Sequence, residues 1–295
     1  MGRAIVQVFW GFHVFVVLIH RHRVIFGLRA RTRIFVVYCT WKELDSMKRL
    51  LYFLCAATLF VPAAAWSQTV DEIIAKNARA RGGIEKLRAI KTLRVTARLS
   101  QGSFRATYVQ DNKRSDKVRE ETIIQGMAQI QAYDGKTAWQ INPFGGRKDP
   151  ELMSADDTKA LIIDSDLEGL LIDYKEKGHK AELLGHDSVE GTDCFKIKLT
   201  LKDGDVRYYY LDADSYLEIK IETQTTVRGA VQFSDTMLGD YEQVDGVYFP
   251  FSIELGETGG TDQRLRLAVE KIEINPSLDD NLFSLPAAKP AAATK

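Results

Sequence analysis

Between Leu93 and Asn275, most of the chain alternates apolar and polar residues with a period of two. The alternation runs from Leu93 to Ile141, resumes at Lys180 and continues to Asn275. This period is typical of half-buried β-strands. The apolar runs are separated by turn pairs that tolerate a positive φ, namely Asp134-Gly135, Asp203-Gly204 and Asp245-Gly246. The pattern predicts about eleven antiparallel strands joined as a meander.

A helical period of 3.6 precedes the first strand. Apolar residues fall on one face between Val70 and Arg81, with Thr69 placed to cap the helix and Gly82-Gly83 placed to end it. A further short turn of helix is predicted over residues 84–90.

The helical period returns once more, after a loop over residues 142–150 that is rich in Gly and Pro. It predicts a second helix over residues 155–174, and the spacing of Ser154 and Asp157 resembles a capping box. Gly169 weakens this helix and can divide it into two short helices.

About eleven strands are too many for a flat open sheet, so we expect the sheet to curl. The fold class is therefore mainly β with an α lid: a curled antiparallel sheet covered by amphipathic helices. The helices either complete a closed core or enclose an apolar cavity for a lipid-like guest. In the second case we expect the guest to meet Leu93, Val95, Phe104, Tyr108, Trp139, Ile163, Leu167, Leu170, Tyr174, Tyr208, Tyr210, Phe249 and Phe251.

Charge is distributed unevenly. The whole chain has 40 basic and 40 acidic residues. Residues 1–67 contain 9 basic and 2 acidic residues, which leaves 31 basic and 38 acidic residues in the remainder, a net charge of −7. A mildly acidic domain lacks the basic surface that nucleic acid requires, so we expect no nucleic-acid partner.

The segment 47–67 has the pattern of a secretory signal peptide. Lys48 and Arg49 precede an apolar run over residues 50–61, and small residues follow it. We expect cleavage after Ser67, with cleavage after Ala65 as the alternative. A transmembrane anchor is disfavoured because the apolar run is shorter than the roughly 20 residues of a span. A lipoprotein signal is disfavoured because Cys55 lies inside the run.

Residues 1–46 are interpreted as an upstream extension, with Met47 as the true start. An extended signal region or a second anchor is the alternative. The globular domain is then predicted over residues 68–286, followed by a disordered tail over residues 287–295, which is rich in Ala and Pro.

The sequence contains little catalytic chemistry. Beyond the signal segment, Cys194 is the only cysteine, which excludes an intramolecular disulfide, and His179 and His186 lack metal-ligand spacing. No nucleophile elbow, zinc-protease motif or phosphate loop is present. We therefore expect no catalytic residues, no metal and no cofactor.

Several segments resemble the periplasmic outer-membrane lipoprotein-sorting proteins of the LolA-like kind. The similar stretches are residues 70–76, 81–87 and 90–96, together with YDGKTAW at 133–139, YEQVDGVYFP at 241–250 and NPSLDDNLFSLP at 275–286. The resemblance implies an incomplete β-barrel whose open side is covered by helices. It also implies a non-catalytic activity, which is to shelter a lipid or a lipoprotein acyl chain in the periplasm. The expected partners are that acyl chain and a membrane-bound donor or acceptor protein, and the carrier is expected to be a monomer.

A second hypothesis comes from a different functional class. A sensor or scaffold could bind a protein partner through an exposed sheet edge, because an open barrel has two such edges. Tyr209, Tyr216 and Tyr248 would flank that contact surface. A hydrolase is disfavoured by the shortage of His and Cys.

Overall fold

The computed structural model describes residues 5–10, 13–20, 23–30, 33–40, 68–260 and 264–286. The chain divides into two compact units, Met1–Ser67 and Gln68–Lys295. The first contains an antiparallel four-stranded meander of β1 (Ile5–Trp10), β2 (His13–His20), β3 (Arg23–Ala30) and β4 (Arg33–Thr40). The predicted signal segment 47–67 and the predicted tail 287–295 lie outside the described residues.

The second unit begins with two helices at the predicted place. Helix α1 (Val70–Ala80) starts with a capping box, in which the Thr69 hydroxyl accepts from the Glu72 amide at 3.2 Å and the Glu72 carboxylate accepts from the Thr69 amide at 3.0 Å. Gly82, at φ 121°, separates α1 from α2 (Ile84–Ala89). A β-carbon at Gly82 would collide with the Gly246 carbonyl, so the close approach requires glycine.

A single antiparallel sheet of thirteen strands makes up the rest of this unit. Its spatial order is β10-β9-β8-β7-β6-β5-β17-β16-β15-β14-β13-β12-β11, so the chain's first and last strands of the sheet pair in the middle. The predicted fold class is confirmed: the sheet is curled and remains open between β10 and β11. The strands are β5 (Thr92–Gln101), β6 (Phe104–Lys113), β7 (Lys117–Ile124), β8 (Met127–Tyr133), β9 (Ala138–Asn142), β10 (Arg147–Leu152), β11 (Lys180–Val189), β12 (Thr192–Thr200), β13 (Val206–Asp212), β14 (Glu218–Val227), β15 (Ala230–Val244), β16 (Val247–Glu257) and β17 (Leu265–Ile274).

The predicted number of about eleven strands is two below the observed number, and one strand that was not predicted, β10, is an edge of the sheet. Strand β10 lies in the segment predicted as a loop, and Pro150 is tolerated there because an edge strand leaves one side of its backbone unpaired. Strand β11 begins at Lys180, where the alternation was predicted to resume, and it carries a register shift between Leu183 and Gly185.

The chain crosses from one edge strand to the other between residues 153 and 179. Helix α3 (Ala155–Asp164) begins at Ser154, whose hydroxyl accepts from the Asp157 amide at 3.2 Å, as predicted. The helix ends ten residues before the predicted boundary at Tyr174. Residues 165–178, here called the crossing loop, are mainly turns, and Gly169 (φ 85°) and Asp173 (φ 53°) interrupt the helical backbone. The predicted long helical lid is therefore wrong in its second half.

Helix α1 and the crossing loop cover only part of the concave face of the sheet. Ile73 of α1 and Leu171 of the crossing loop pack with Ile197, Leu199 and other residues of β12 and β13, and all four side chains are buried. We call β11–β13 (residues 180–212) the covered wing. Among the described residues, no helix is long and apolar enough to cross a membrane.

Candidate functional site

The opposite wing of the sheet presents polar side chains on its concave face. We call β6–β10 (residues 104–152) the polar wing. Strand register places one polar residue from each strand in a transverse row, and the residues are Gln110, Glu120, Gln131, Gln140 and Glu151. At the edge, the Gln140 amide donates to the Glu151 carboxylate at 2.9 Å. Because paired positions share a face, this row forms a polar band across the concave surface of the polar wing.

A cavity of about 270 Å³ lies between the crossing loop and the concave face of β13–β16. This volume is slightly below the range of about 300–1,000 Å³ that is usual for small-molecule sites. Its apolar lining includes Ile163, Leu170, Tyr209, Ile221, Leu238 and Phe249. An apolar cavity was one of the two expectations for the concave face, and these six residues supply its apolar part.

The same cavity also contains charged groups, which the sequence-based expectation did not include. Arg81, Asp164, Asp166, Arg207 and Glu218 all contribute to its wall. Two of them have partners in the crossing loop: the Arg81 guanidinium donates to the Glu168 carbonyl at 2.7 Å, and Lys177 Nζ lies 2.5 Å from the Asp166 carboxylate. The cavity is therefore amphipathic.

Two acidic side chains approach each other where the polar wing meets α3. Burial raises the pKa of the Glu120 carboxyl, and the negative charge of Asp164 raises it further. Burial also raises the pKa of Asp164, against the opposing effect of the Arg207 charge. Asn112 holds α3 in place here, because its side-chain amide donates to the Asp164 carbonyl at 2.5 Å. Asp164 lines the cavity. Its side chain is therefore exposed there, although protein atoms lie around the cavity on several sides.

Most of the predicted ligand-binding residues lie on the concave side. Ile163, Leu170 and Phe249 line the cavity. Four others on this side are half-buried on the strands, namely Leu93, Val95, Tyr108 and Phe251. Leu167 packs against the cluster of Leu87, Ile90 and Val247. Phe104 is 37% exposed beside the β5–β6 turn. The structure therefore brings together three of the predicted residues at the cavity and places six more elsewhere on the concave side.

Tyr174 is buried away from this cavity. Its hydroxyl donates to the Asp71 carboxylate at 2.8 Å. It lines a second concavity, an open groove of about 650 Å³ between α1 and the crossing loop. Tyr174 thus fixes the crossing loop to the start of α1 on the outer side of the covering layer.

Three predicted residues lie on the convex face instead. Trp139 is 1% exposed and packs under the C-terminal segment, where its indole donates to the Phe283 carbonyl at 2.7 Å. Tyr208 and Tyr210 lie beneath the ammonium of Lys196, whose nitrogen is 5.5 and 4.8 Å from the two ring centroids. These three residues cannot line a concave cavity in this arrangement, because the sheet separates them from it.

The middle tyrosine of the run 208–210 points inward. Tyr209 pairs in register with Ile197 and Ile221 and is 5% exposed within the covered wing. It is therefore unavailable for the partner surface proposed from sequence. Tyr216 is also engaged, since its ring stacks on Phe195 with centroids 5.5 Å apart, whereas Tyr248 is 36% exposed.

The functional candidates that the sequence analysis missed are the inward-facing polar residues. Glu120 has the same parity as Val118 and Ile124, so the alternation of β7 could have placed it on the inner face. Arg207 could have been found in the same way once Tyr209 was known to point inward.

The described residues contain no group of three or more His, Cys, Asp or Glu side chains arranged to hold a metal ion. Cys194 is buried, and burial raises the pKa of its thiol, which disfavours the reactive thiolate.

Comparisons with known proteins identify the fold. A family model described as an uncharacterized protein matches residues 150–287. No curated protein matches the chain. A LolA superfamily protein from Nitrosomonas europaea superposes with a TM-score of 0.51 at 14% identity, over 74% of this chain and 98% of its own. A DUF1329 family protein from Desulfovibrio piger superposes with a TM-score of 0.51 at 12% identity, over 74% of this chain and 98% of its own. The chain has a LolA-like fold, as the resemblance predicted.

Proposed function

We propose that this protein is a non-catalytic periplasmic carrier that shelters a lipid or a lipoprotein acyl chain between the curled sheet and the crossing loop. The observation that carries the proposal is the incomplete filling of the concave face. Outside the covered wing, inward-facing residues such as Val95 and Phe251 remain only half-buried, and the cavity continues beneath the crossing loop. Unfilled apolar surface inside a barrel is the usual site of a hydrophobic guest.

The energetics favour an acyl chain as that guest. Each buried methylene contributes about 0.8 kcal/mol, so a chain of ordinary length offsets the cost of being ordered. The present cavity holds only part of such a chain, so admission of a longer one requires the crossing loop to move. The loop is attached to the rest of the domain partly through Glu168, whose carboxylate lies 2.7 Å from Arg114 and whose carbonyl accepts from Arg81.

The periplasmic location in this proposal is supported by the signal-peptide pattern of residues 47–67. We expect the exported carrier to begin at Gln68 and to act as a monomer. Its donor and acceptor would be membrane-bound proteins that exchange the acyl chain with it.

Native mass spectrometry of protein recovered from the periplasm tests the proposal in one measurement. We expect a chain that begins at Gln68 and carries a lipid adduct. Leu238→Trp, which places an indole in the cavity, should lose the adduct. Phe233→Trp is the matched control, because Phe233 lies on the same strand and is 58% exposed. An adduct-free wild-type spectrum that stays unchanged after lipid is added would refute the carrier function.

A further inference from the structure

The guanidinium of Arg207 faces the cavity without an ionic partner. Arg207 lines the cavity from β13, where it pairs in register with Leu199 on one side and Thr223 on the other. Its Nε is fully buried and has no hydrogen-bond acceptor. Among the described residues, no carboxylate lies within the 4.0 Å salt-bridge distance of this guanidinium. Arg207 is therefore a cation held in a partly apolar space.

No described acidic residue on the same wall forms a salt bridge with Arg207. Asp166 is engaged by Lys177, and the Glu218 carboxylate has the Tyr241 hydroxyl at 3.4 Å. Asp164 interacts electrostatically with Arg207 from beyond salt-bridge distance, and burial raises the pKa of Asp164 to about 6 against the opposing effect of the Arg207 charge. A buried charge without a close counter-charge is costly, so a cation in this position indicates that an anion joins it when the cavity is occupied.

We propose that Arg207 binds an anionic group, a carboxylate or a phosphate, at one end of the cavity's guest. The inference rests on the proposed carrier function and specifies its cargo as an anionic amphiphile. Leu170, Ile221 and Phe249 provide the apolar wall for the hydrocarbon part of that guest. The planar guanidinium provides paired donors that match a carboxylate or phosphate.

The arrangement also gives the guest an orientation. Arg207 occupies the same wall as the apolar residues, and Gln110 of the polar wing lies on the cavity's other side. A neutral hydrocarbon would leave the guanidinium desolvated and unpaired, whereas an anionic end group would satisfy it. The site thus selects for the charge of the guest as well as for its apolar length.

Binding of matched ligands by isothermal titration calorimetry tests this site. The probes are dodecanoate, dodecyl phosphate, dodecanol and inorganic phosphate, measured with wild type and with Arg207→Gln, Arg207→Lys and Lys198→Gln. Lys198 lies on the neighbouring strand with its side chain paired to Glu182 at 3.8 Å, so its variant controls for loss of a surface charge. We expect wild type and Lys198→Gln to bind the two anionic amphiphiles about tenfold to a hundredfold more tightly than dodecanol.

Arg207→Gln should abolish this preference while still binding dodecanol, and Arg207→Lys should retain part of it. The ligand-free melting temperature of Arg207→Gln should stay the same or rise, because the guanidinium that it removes has no described carboxylate within salt-bridge distance. A loss of melting temperature in Arg207→Gln would show that Arg207 has a structural partner, which overturns the proposal.

The remaining outcomes separate this inference from the carrier function. Equal binding of dodecanol and dodecanoate by wild type overturns the anion site and leaves the carrier intact. Failure to bind any amphiphile overturns the carrier as well. Tight binding of inorganic phosphate that is lost in Arg207→Gln supports the anion site and identifies a free ion as its source.

Discussion

The covered wing and the polar wing are built from the same antiparallel meander but use their concave faces in opposite ways. Strand β12 of the covered wing turns Phe195, Ile197 and Leu199 toward α1 and the crossing loop, and these side chains are buried. Strand β7 of the polar wing turns Glu120 and Thr122 to the same side of the sheet, and both remain half-buried.

The difference shows that the covering layer, and not the sheet, determines what the concave face can contain. Apolar side chains are stable on a curled sheet only where another element removes them from water. Helix α1 and the crossing loop provide an apolar cover over one wing, whereas α3 packs on the other mainly through Leu161 and leaves a row of polar residues beside it. The cavity lies between the covered wing and the polar wing, which is why apolar and charged residues share its wall.

The largest effect is expected from removing the same apolar group in each wing. Ile197 is 0% exposed in the covered wing, so Ile197→Ala should leave a cavity and lower the free energy of unfolding by about 2–5 kcal/mol. Ile124 faces the concave side of the polar wing and is half-buried, so Ile124→Ala should cost about 1 kcal/mol or less. Urea denaturation of both variants measures the difference. Equal costs would mean that the polar wing is also covered, and the contrast between the wings would be lost.

A smaller effect is expected from the pH dependence of the polar wing. The pKa of Glu120 is raised from 4.5 to about 8 by burial and by Asp164. A carboxyl whose pKa is raised on folding disfavours the folded state once it ionises. The free energy of unfolding of wild type therefore carries no penalty from Glu120 below about pH 4.5, and it falls as the pH rises toward about 8.

Glu120→Gln removes this loss. We expect the variant to match wild type near pH 4 and to be more stable near pH 8 by about 1–2 kcal/mol, or about 2–8 °C in Tm. Thermal melts followed by circular dichroism at both pH values measure it. Glu182→Gln on the exposed edge strand β11 is the control and should show no such gain. A variant that is less stable than wild type near pH 8 would contradict the proposed environment of Glu120.

The sequence was sufficient for the overall fold and for those elements whose local signals are strong. Thr69 and Ser154 begin their helices as predicted, because a capping hydroxyl acts through bonds within one turn. The orientation of β12 also follows from its sequence, since a strand with lysines on one face and aliphatic residues on the other has only one stable orientation in a sheet with one buried face.

The site itself required the structure. In the run Tyr208-Tyr209-Tyr210 every residue is amphipathic, so the run alone cannot determine its register, and pairing with β12 decides it. The position of Arg207 inside the cavity follows from that register. Trp139 was misplaced for another reason: an aromatic residue on a strand fits either face, and the cover over the convex face comes from Phe283, far away in sequence.

Trp139 and Phe251 lie on opposite faces of the sheet, which leads to the last prediction. In wild type, a guest in the cavity should leave the tryptophan fluorescence almost unchanged. Trp139 is the only tryptophan between Gln68 and the C-terminus, so it reports on the convex face of the exported protein. A brominated fatty acid bound in the cavity should leave its fluorescence nearly unquenched, because the sheet lies between them. Phe251→Trp adds a tryptophan on the concave face, and its additional emission should be quenched as the cavity fills. Strong quenching in wild type would place the guest against the convex face, and it would restore the expectation from sequence that Trp139 contacts the ligand.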